Sequence, residues 1–427
     1  MKKLRIAVIH PFFDMYGGAE KIIFSLLEVI VKRYGSCELY TSWFVDNLKH
    51  YLPSGVVLKM VRGRPLHSLI FGQKFNPRLV RDMNQIGKRL SGHYDVILTT
   101  HWPSSFAVDA ALVRFKTATA NKTISYCFEV DNGLYHQEIY GKENSHVLEG
   151  KSFLGCLKAR IAFKCFIPWK NQDKQVMGGF THVVSISEHN KQDIGLIYGG
   201  AVKNKTAVIP TFVDAEFFYP SSQGVAELRK KYILSSSDTV ILSLCRLGQS
   251  KRVDFILRSF KILLDQIAKG KGRIKLVIAG TGPDREKLEH LAAELGMSDA
   301  VRFVGFIPDQ NLVALYNLCT AFVYAGLEAN YVLTALEAMA CEKPVIGPDS
   351  RFNEVFSQSN QGYACQGYAC DAHSKQAYAD ALQAILTDPL HAMRIGKEAR
   401  KRVLDGFTKE VFITRFVELF EKANDKK

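Results

Sequence analysis

The sequence predicts an α/β chain built from two doubly wound parallel sheets of about 200 residues each. Three observations predict it. Short runs of apolar, often β-branched residues recur along the chain, with helical segments between several of them. Short apolar strands that alternate with helices imply a parallel sheet covered on both faces. The strand and helix pattern also restarts after Pro210 and Asp214, which divides the 427 residues near residue 215.

The elements follow in order. Ile6-Ala7-Val8-Ile9 is a strand, and it leads through Pro11-Phe12-Phe13 to Gly17-Gly18. A helix follows, roughly from Ala19 to Val31, with Ile22, Ile23, Leu26, Leu27 and Ile30 along one stripe. Asp95 to Thr99, Thr123 to Cys127 and His182 to Ile186 are the next strands. In the second half, strands are predicted over Thr239 to Leu244, Ile274 to Ala279, Val301 to Val304, Ala321 to Tyr324 and Pro344 to Gly347. Helices are predicted over Val253 to Ala268, Arg285 to Leu295, Asn311 to Cys319 and Leu333 to Cys341, the first ending at Gly270. Thr408 to Ala423 is a final amphipathic helix. One short repeat, Gln361-Gly362-Tyr363-Ala364-Cys365 followed by Gln366-Gly367-Tyr368-Ala369-Cys370, reads as a surface loop or hairpin. Its Cys-x4-Cys spacing lacks the further ligands of a zinc site, so no metal is expected.

Composition narrows the function. An apolar content of 47% builds cores and excludes a disordered chain. No run of eighteen apolar residues offers a transmembrane helix. The opening Met1-Lys2-Lys3-Leu4-Arg5 is followed only by Ile6 to Ile9, too short for the apolar core of a signal peptide. Nine cysteines, an odd number in a long chain, point to reduced thiols and a cytoplasmic protein. The net charge of +14 is uneven: residues 1–220 hold 28 Lys/Arg against 18 Asp/Glu.

Two stretches concentrate the charge. Residues 49–90 carry Lys49, Lys59, Arg62, Arg64, Lys74, Arg78, Arg81, Lys88 and Arg89 with one acid, Asp82, among Leu52, Val56, Val57, Leu58, Met60, Val61, Leu66, Leu69, Ile70 and Phe71. Lys151 to Lys174 holds six basic residues and one acid, Asp173, among Phe153, Phe163, Phe166 and Trp169. Cations interleaved with aliphatic and aromatic residues suit peripheral contact with an anionic membrane. No recognition motif supports nucleic acid as a partner.

The chemistry concentrates in the second half. The strand ending at Leu244 runs into Cys245-Arg246-Leu247-Gly248-Gln249-Ser250-Lys251, just before a helix. Cations at the C-terminal end of a parallel strand, beside a helix N-terminus, suit a diphosphate. An exposed loop with ordinary surface charges has the same local signature. Gly280-Thr281-Gly282-Pro283 is too short for a dinucleotide fingerprint and reads as a tight turn. Glu328 lies on the loop after Tyr324, and Glu337 sits among Leu333, Leu336, Ala338, Met339 and Ala340. A carboxylate there needs a partner, either sugar hydroxyls or a structural salt bridge.

Together these segments resemble the large retaining glycosyltransferase family 4, whose GT-B architecture has two facing Rossmann-like domains and a C-terminal helix crossing back to the first. The likeness runs through Gly17-Gly18-Ala19-Glu20; Val208-Ile209-Pro210 with Val213-Asp214 and Phe218; Arg246-Leu247 with Lys251; Ala279-Gly280-Thr281-Gly282-Pro283; Val301-Arg302-Phe303-Val304-Gly305; and Leu336-Glu337-Ala338-Met339-Ala340-Cys341 with Lys343-Pro344-Val345-Ile346. It implies an acceptor-binding domain over 1–215, joined by the helix at 408–427, and a nucleotide-sugar-binding domain over 216–407. Arg246 and Lys251 would hold the donor diphosphate and stabilise the leaving group, doing the work of a metal ion, so no cofactor is implied. Glu337 would bind the ribose hydroxyls. The Gly17-Gly18 turn would bring backbone amides to the diphosphate and acceptor, and Gly280, Gly282, Tyr331, Val332 and Leu333 would line the donor.

The chain departs from the family pattern at two places. The family spaces its two glutamates as Glu-x7-Glu, but counting back from Glu337 reaches Ala329, and Glu328 stands one place early. Asn330-Tyr331-Val332 replaces a Gly-Phe-Gly at which backbone amides approach the donor sugar. Where many relatives carry a histidine that contacts the reacting sugar, this chain has Phe128, and Glu129, Asp131 or His101 are the substitutes within reach. The implied activity is transfer of a hexose from GDP-mannose or a UDP-hexose to a saccharide or lipid-linked glycan, on the cytoplasmic face of a membrane. The alternative is a degenerate relative that binds nucleotide sugar as a non-catalytic partner subunit.

Overall fold

A computed structural model describes residues 4–15, 17–62, 77–90, 94–100, 102–115, 122–128, 130, 135, 168–267, 273–327, 332–349 and 367–425. The chain divides into two units, Met1–Pro210 with Ile413–Lys427, and Thr211–Phe412.

The first apolar run forms β1 (Ile6–Ile9), every residue of it buried. It pairs in parallel with β2 (Cys37–Thr41) on one side and β4 (Val96–Thr100) on the other. Outward from these lie β3 (Val56–Met60), β5 (Thr123–Cys127), β6 (His182–Ser185) and β7 (Thr206–Val208). The seven-stranded sheet has the order β3-β2-β1-β4-β5-β6-β7, and every pairing is parallel. The chain direction across the sheet therefore reverses between β1 and β4. One face packs on α2 (Pro77–Arg89) and α3 (Ser105–Phe115). These two helices approach closely at Gly87, where an added Cβ would fall within 3.0 Å of the Ala107 carbonyl oxygen.

The second sheet has the order β10-β9-β8-β11-β12-β13, again all parallel. Its strands are β8 (Thr239–Leu244), β9 (Ile274–Ala279), β10 (Val301–Gly305), β11 (Ala321–Val323), β12 (Val345–Pro348) and β13 (Gly367–Cys370). Val240, Leu242, Val277 and Ala279 enter the core on one face; Ile241, Leu276 and Ile278 enter the core on the other. Both faces are covered, which is why these strands read as largely apolar runs.

Several elements differ from the sequence expectation. β2, β3 and β7 lack the long apolar run that marks a central strand, and β3 leaves Val57 and Met60 exposed, as a sheet edge does. The repeat expected as a surface loop or hairpin does not hold for its second copy: Gly367–Cys370 is the edge strand β13, with Tyr368 and Cys370 buried. Parallel pairing with β12 buries its apolar face. The first copy lies outside the described residues.

The basic stretches also take definite structure. In the first, Leu79, Val80, Met83, Ile86 and Leu90 of α2 and its C-terminal flank point into the core, while Arg78, Arg81, Lys88 and Arg89 are exposed. Asp82 is fully buried and accepts bonds from Arg62 Nε (2.5 Å), Arg62 Nη2 (2.8 Å) and Ser42 Oγ (2.5 Å). In the second stretch, Asp173 is buried and accepts from the hydroxyls of Tyr135 (2.9 Å) and Tyr198 (2.8 Å). The one acid of each stretch is thus spent inside the unit and does not offset the exposed cations. Arg64, Lys74, Leu66, Leu69, Ile70, Phe71 and residues 151–167 lie outside the described residues.

In the second unit, helices follow the strands: α7 (Val225–Lys231) precedes β8; α8 (Val253–Gln266), α9 (Arg285–Glu294), α10 (Leu312–Leu318) and α11 (Leu333–Ala340) come next; α12 (Lys375–Thr387) and α13 (Pro389–Gly406) follow β13. The first unit's further helices are α1 (Gly18–Tyr34), α4 (168–179), α5 (Glu188–Tyr198) and α6 (Gly200–Asn204). The last helix, α14 (Lys409–Asp425), returns to the first unit from Ile413 onward. There Phe416 packs edge-on to Tyr126 (5.0 Å between ring centroids), Phe420 to Tyr34 (6.3 Å), and Glu421 pairs with Arg33 (2.9 Å).

Helix α7 ends at an unusual residue. Ile233 has φ +55° and is 81% exposed, while Ile233 N–H donates to Lys230 and Leu234 N–H to Arg229. This is a left-handed helix stop, normally glycine, held by a β-branched residue. Ile233→Gly is expected to stabilise the protein by about 0.5–1 kcal/mol, the left-handed strain less glycine's extra freedom when unfolded. Thermal denaturation checks this as a Tm rise of about 1–4 °C for a unit of this size; a fall would contradict it.

Among the described residues, Cys37, Cys245, Cys319, Cys341 and Cys370 are free thiols. Burial pushes the Cys37, Cys319, Cys341 and Cys370 thiols up to about 12. Among the described residues, no helix is long and apolar enough to cross a membrane.

Candidate functional site

In an open α/β sheet, ligands bind beyond the C-terminal strand ends, where the strand order reverses. In the second sheet that point lies between β8 and β11. Three loops meet there, and glycines let them meet. Beyond β9, Gly280 has φ +117°, and an added Cβ would come within 3.0 Å of the Cys245 carbonyl oxygen. A Cβ on Gly282 would likewise run into the Leu247 carbonyl. Backbone bonds join the same loops, from Leu247 N–H to Thr281 (2.9 Å) and from Asp284 N–H to Leu247 (3.2 Å). Beyond β11, Gly326 lies against the Tyr324 hydroxyl and the Ser250 carbonyl.

The packed backbone presents the cations. Arg246 is exposed at the exit of β8. Lys251 ends a single turn of 3-10 helix, Gln249–Lys251, and its Nζ stands 6.0 Å from the centroid of the Tyr324 ring. Burial raises the Cys245 thiol to about 11, and the positive charge of Lys251 opposes that rise. Arg246 and Lys251 thus lie on one loop between the exit of β8 and the start of α8.

Arg252, the next residue, carries no role in the sequence pattern but holds the loop in place. Arg252 adopts φ +52° as the N-cap of α8. Its Nη1 donates to the carbonyls of Ala325 (3.3 Å) and Ala372 (2.9 Å), and its guanidinium lies 4.4 Å from the Phe255 ring centroid. It ties the exits of β8, β11 and β13 together. Burial lowers its pKa from the usual arginine value. A third cation after Arg246 and Lys251 was visible in the sequence, but its partners were not.

Glu337 lies half-buried on α11, whose N-cap is the buried Val332, followed by the half-buried Leu333. Its Oε2 accepts a 2.5 Å bond from the hydroxyl of Tyr316 on α10. Between the alternatives open in the sequence, the structure thus adds a phenol as a partner. Tyr316 is fully buried, and burial first, then the charge of Glu337, holds its hydroxyl pKa well above the usual value. Glu328, Ala329, Asn330 and Tyr331 lie outside the described residues.

The reversal point of the first sheet lies between β1 and β4. Gly17 caps α1 and Gly18 opens it. The Gly17 N–H donates to Glu20 Oε2 at 3.1 Å, so the helix N-terminus holds an internal carboxylate. His10, at the end of β1 and 3% exposed, bonds through Nδ1 to Thr100 Oγ1 at 2.8 Å. Thr100 Oγ1 in turn donates to the Ile9 carbonyl (3.2 Å), an arrangement in which His10 Nδ1 carries the proton. The sequence marked His10 only as the residue that stops the first apolar run. Phe128, the residue in the histidine position, is buried against Tyr126 with ring centroids 4.4 Å apart. His101, Glu129 and Asp131 lie outside the described residues. Among the described residues, no three His, Cys, Asp or Glu side chains gather as a metal site would need.

The chain is similar to known proteins in sequence and fold. Residues 225–402 match the family model described as glycosyl transferases group 1. The chain is 24% identical over 210 residues to N-acetyl-alpha-D-glucosaminyl L-malate synthase of Bacillus anthracis, covering 49% of this chain and 51% of that one. It is 31% identical over 180 residues to alpha-monoglucosyldiacylglycerol synthase of Streptococcus pneumoniae, covering 40% and 39%. The chain thus aligns with about half or less of the length of these relatives. Among solved structures, Anabaena Alr3699/HepE in complex with UDP superposes with a TM-score of 0.71 at 16% identity, over 98% of this chain and all of that one. This likeness speaks to the fold alone. Most of the second unit, residues 225–402, is a glycosyl transferases group 1 domain within a chain of GT-B fold.

Proposed function

We propose that the chain is a retaining glycosyltransferase. It moves a hexose from GDP-mannose or a UDP-hexose to a saccharide or lipid-linked glycan in the synthesis of cell-surface polysaccharide or glycolipid. The observation that carries this reading is the β8 exit loop, bearing Arg246 and Lys251, seated without side-chain bulk on the Gly280–Gly282 turn. Such a loop presents fixed positive charge to a diphosphate that becomes more negative as it leaves. Arg246 and Lys251 hold the diphosphate, without a metal ion; Glu337 takes the ribose hydroxyls; Val332 and Leu333 adjoin the donor sugar, as do Glu328 and Tyr331, which precede them in the sequence. The bond from the anomeric carbon to the diphosphate oxygen breaks. The acceptor oxygen bonds to that carbon on the same face and passes its proton to a diphosphate oxygen. His101 and Glu129 are the candidate contacts at the reacting sugar. In this reading the first unit binds the acceptor.

The exposed cations of α2, Arg78, Arg81, Lys88 and Arg89, support peripheral contact with the anionic cytoplasmic face of a membrane. Flotation with anionic liposomes at low salt tests it, and no binding would remove it. A second reading, a partner subunit that binds nucleotide sugar without turning it over, is favoured by Phe128, a buried hydrocarbon in the histidine position. A panel of nucleotide sugars with products detected by mass spectrometry decides between the two. Turnover names the donor sugar, and binding without turnover favours the partner subunit.

A further inference from the structure

We propose that Tyr316 is a positioning residue that orients Glu337 to read the ribose hydroxyls of the donor, and so sets the preference for ribonucleotides. This deepens the donor-site reading above and rests on it. The hydroxyl of Tyr316 donates to Glu337 Oε2 at 2.5 Å, the length of a bond to an ionised acceptor. The phenol itself cannot drift: its ring is fully buried, edge-on to Phe218 (5.7 Å between centroids) and beside Phe322 (6.1 Å). Burial and the neighbouring charge keep its proton in place, so it remains a donor throughout the physiological range. Glu337, by contrast, is half-buried, with part of its surface open to solvent. A carboxylate offers about four lone-pair sites on two oxygens. A donor fixed on Oε2 therefore selects one rotamer and sets the direction of the remaining acceptors. Two vicinal hydroxyls of a ribose match such a fixed carboxylate, and an unanchored glutamate would have to be ordered on binding.

Calorimetric titration with UDP, GDP and their 2′,3′-dideoxy counterparts tests this. The wild-type protein should bind its ribonucleoside diphosphate more tightly than the dideoxy form. Tyr316→Phe should weaken the ribonucleotide about tenfold, as loss of a hydrogen bond to a charged group does, and leave the dideoxy form unchanged. In a Glu337→Gln background, Tyr316→Phe should have no further effect. Circular dichroism establishes that both variants are folded. Should Tyr316→Phe fail to fold, Glu337→Gln alone must still abolish the preference, and a retained preference overturns the proposal. Equal weakening of both ligand forms marks a purely structural bond and overturns it, as does a wild-type protein that binds both forms alike. If the wild-type protein binds none of the four, the donor-site reading itself fails.

Discussion

Replacing Lys251 or Arg246 by alanine is expected to lower kcat about 10²–10³-fold, or ~3–4 kcal/mol of transition-state stabilisation. The diphosphate gains negative charge as the sugar leaves, so a fixed cation interacts more strongly with the transition state than with the bound donor. The loss should therefore fall mainly on kcat, with a smaller rise in donor KM. Folding should survive. Arg246 is exposed, and the described contact of Lys251 with a ring is its 6.0 Å approach to Tyr324, an interaction worth about 0.5–1 kcal/mol. Lys251→Arg would keep the charge but not the shape of a point cation, and partial activity is expected. Steady-state kinetics beside a melting curve checks this. Wild-type kcat in either alanine variant removes that residue from the diphosphate site.

The second large effect is on the scaffold. Gly280→Ala is expected to destabilise the protein by about 3 kcal/mol or more, because it adds left-handed strain to a backbone clash. An added Cβ at Gly280 or Gly282 meets the β8 exit backbone, not the end of a side chain that can swing away. The loop bearing Arg246 must move, and diphosphate affinity should fall with the melting temperature. Two further variants separate the causes. Gly282→Ala meets the Leu247 carbonyl without a positive φ, so it isolates the clash. Gly296, at φ +70° with no atom within 4 Å of an added Cβ, isolates the strain. The expected order of destabilisation is Gly280→Ala, then Gly282→Ala, then Gly296→Ala. A Gly282→Ala protein that melts and binds UDP or GDP like Gly296→Ala would show that close loop packing does not support the site.

Much of the fold was legible in the sequence because the central strands carry their own signature. Ile6–Ile9 is apolar at every position and Ile274–Ala279 at every position but Lys275, while Thr123–Cys127 and Thr239–Leu244 each interleave one threonine and one serine with apolar residues, as strands covered on both faces can. The edge strand β3 has no fully buried residue, and β13 is only four residues long with a glycine at its start, so both resemble loops in the sequence. Candidate cations at a strand exit could be named from position alone, because ligands gather at the C-terminal ends of parallel strands.

The sequence by itself determined the alternating α/β plan, the restart near residue 215 and the charged loop after β8. Each is written in local periodicity or in adjacent residues. Only the tertiary structure decided what those residues touch. Arg252 reaches Ala325 and Ala372, which are 73 and 120 residues away, and Tyr316 meets Glu337 across 21. It also decided which charges remain outside: Asp82 and Asp173, plain acids in two basic stretches, are buried against Arg62 and two tyrosines. A hydrogen bond falls off within a few tenths of an ångström, so it depends on distances that packing sets and that separation along the chain does not encode.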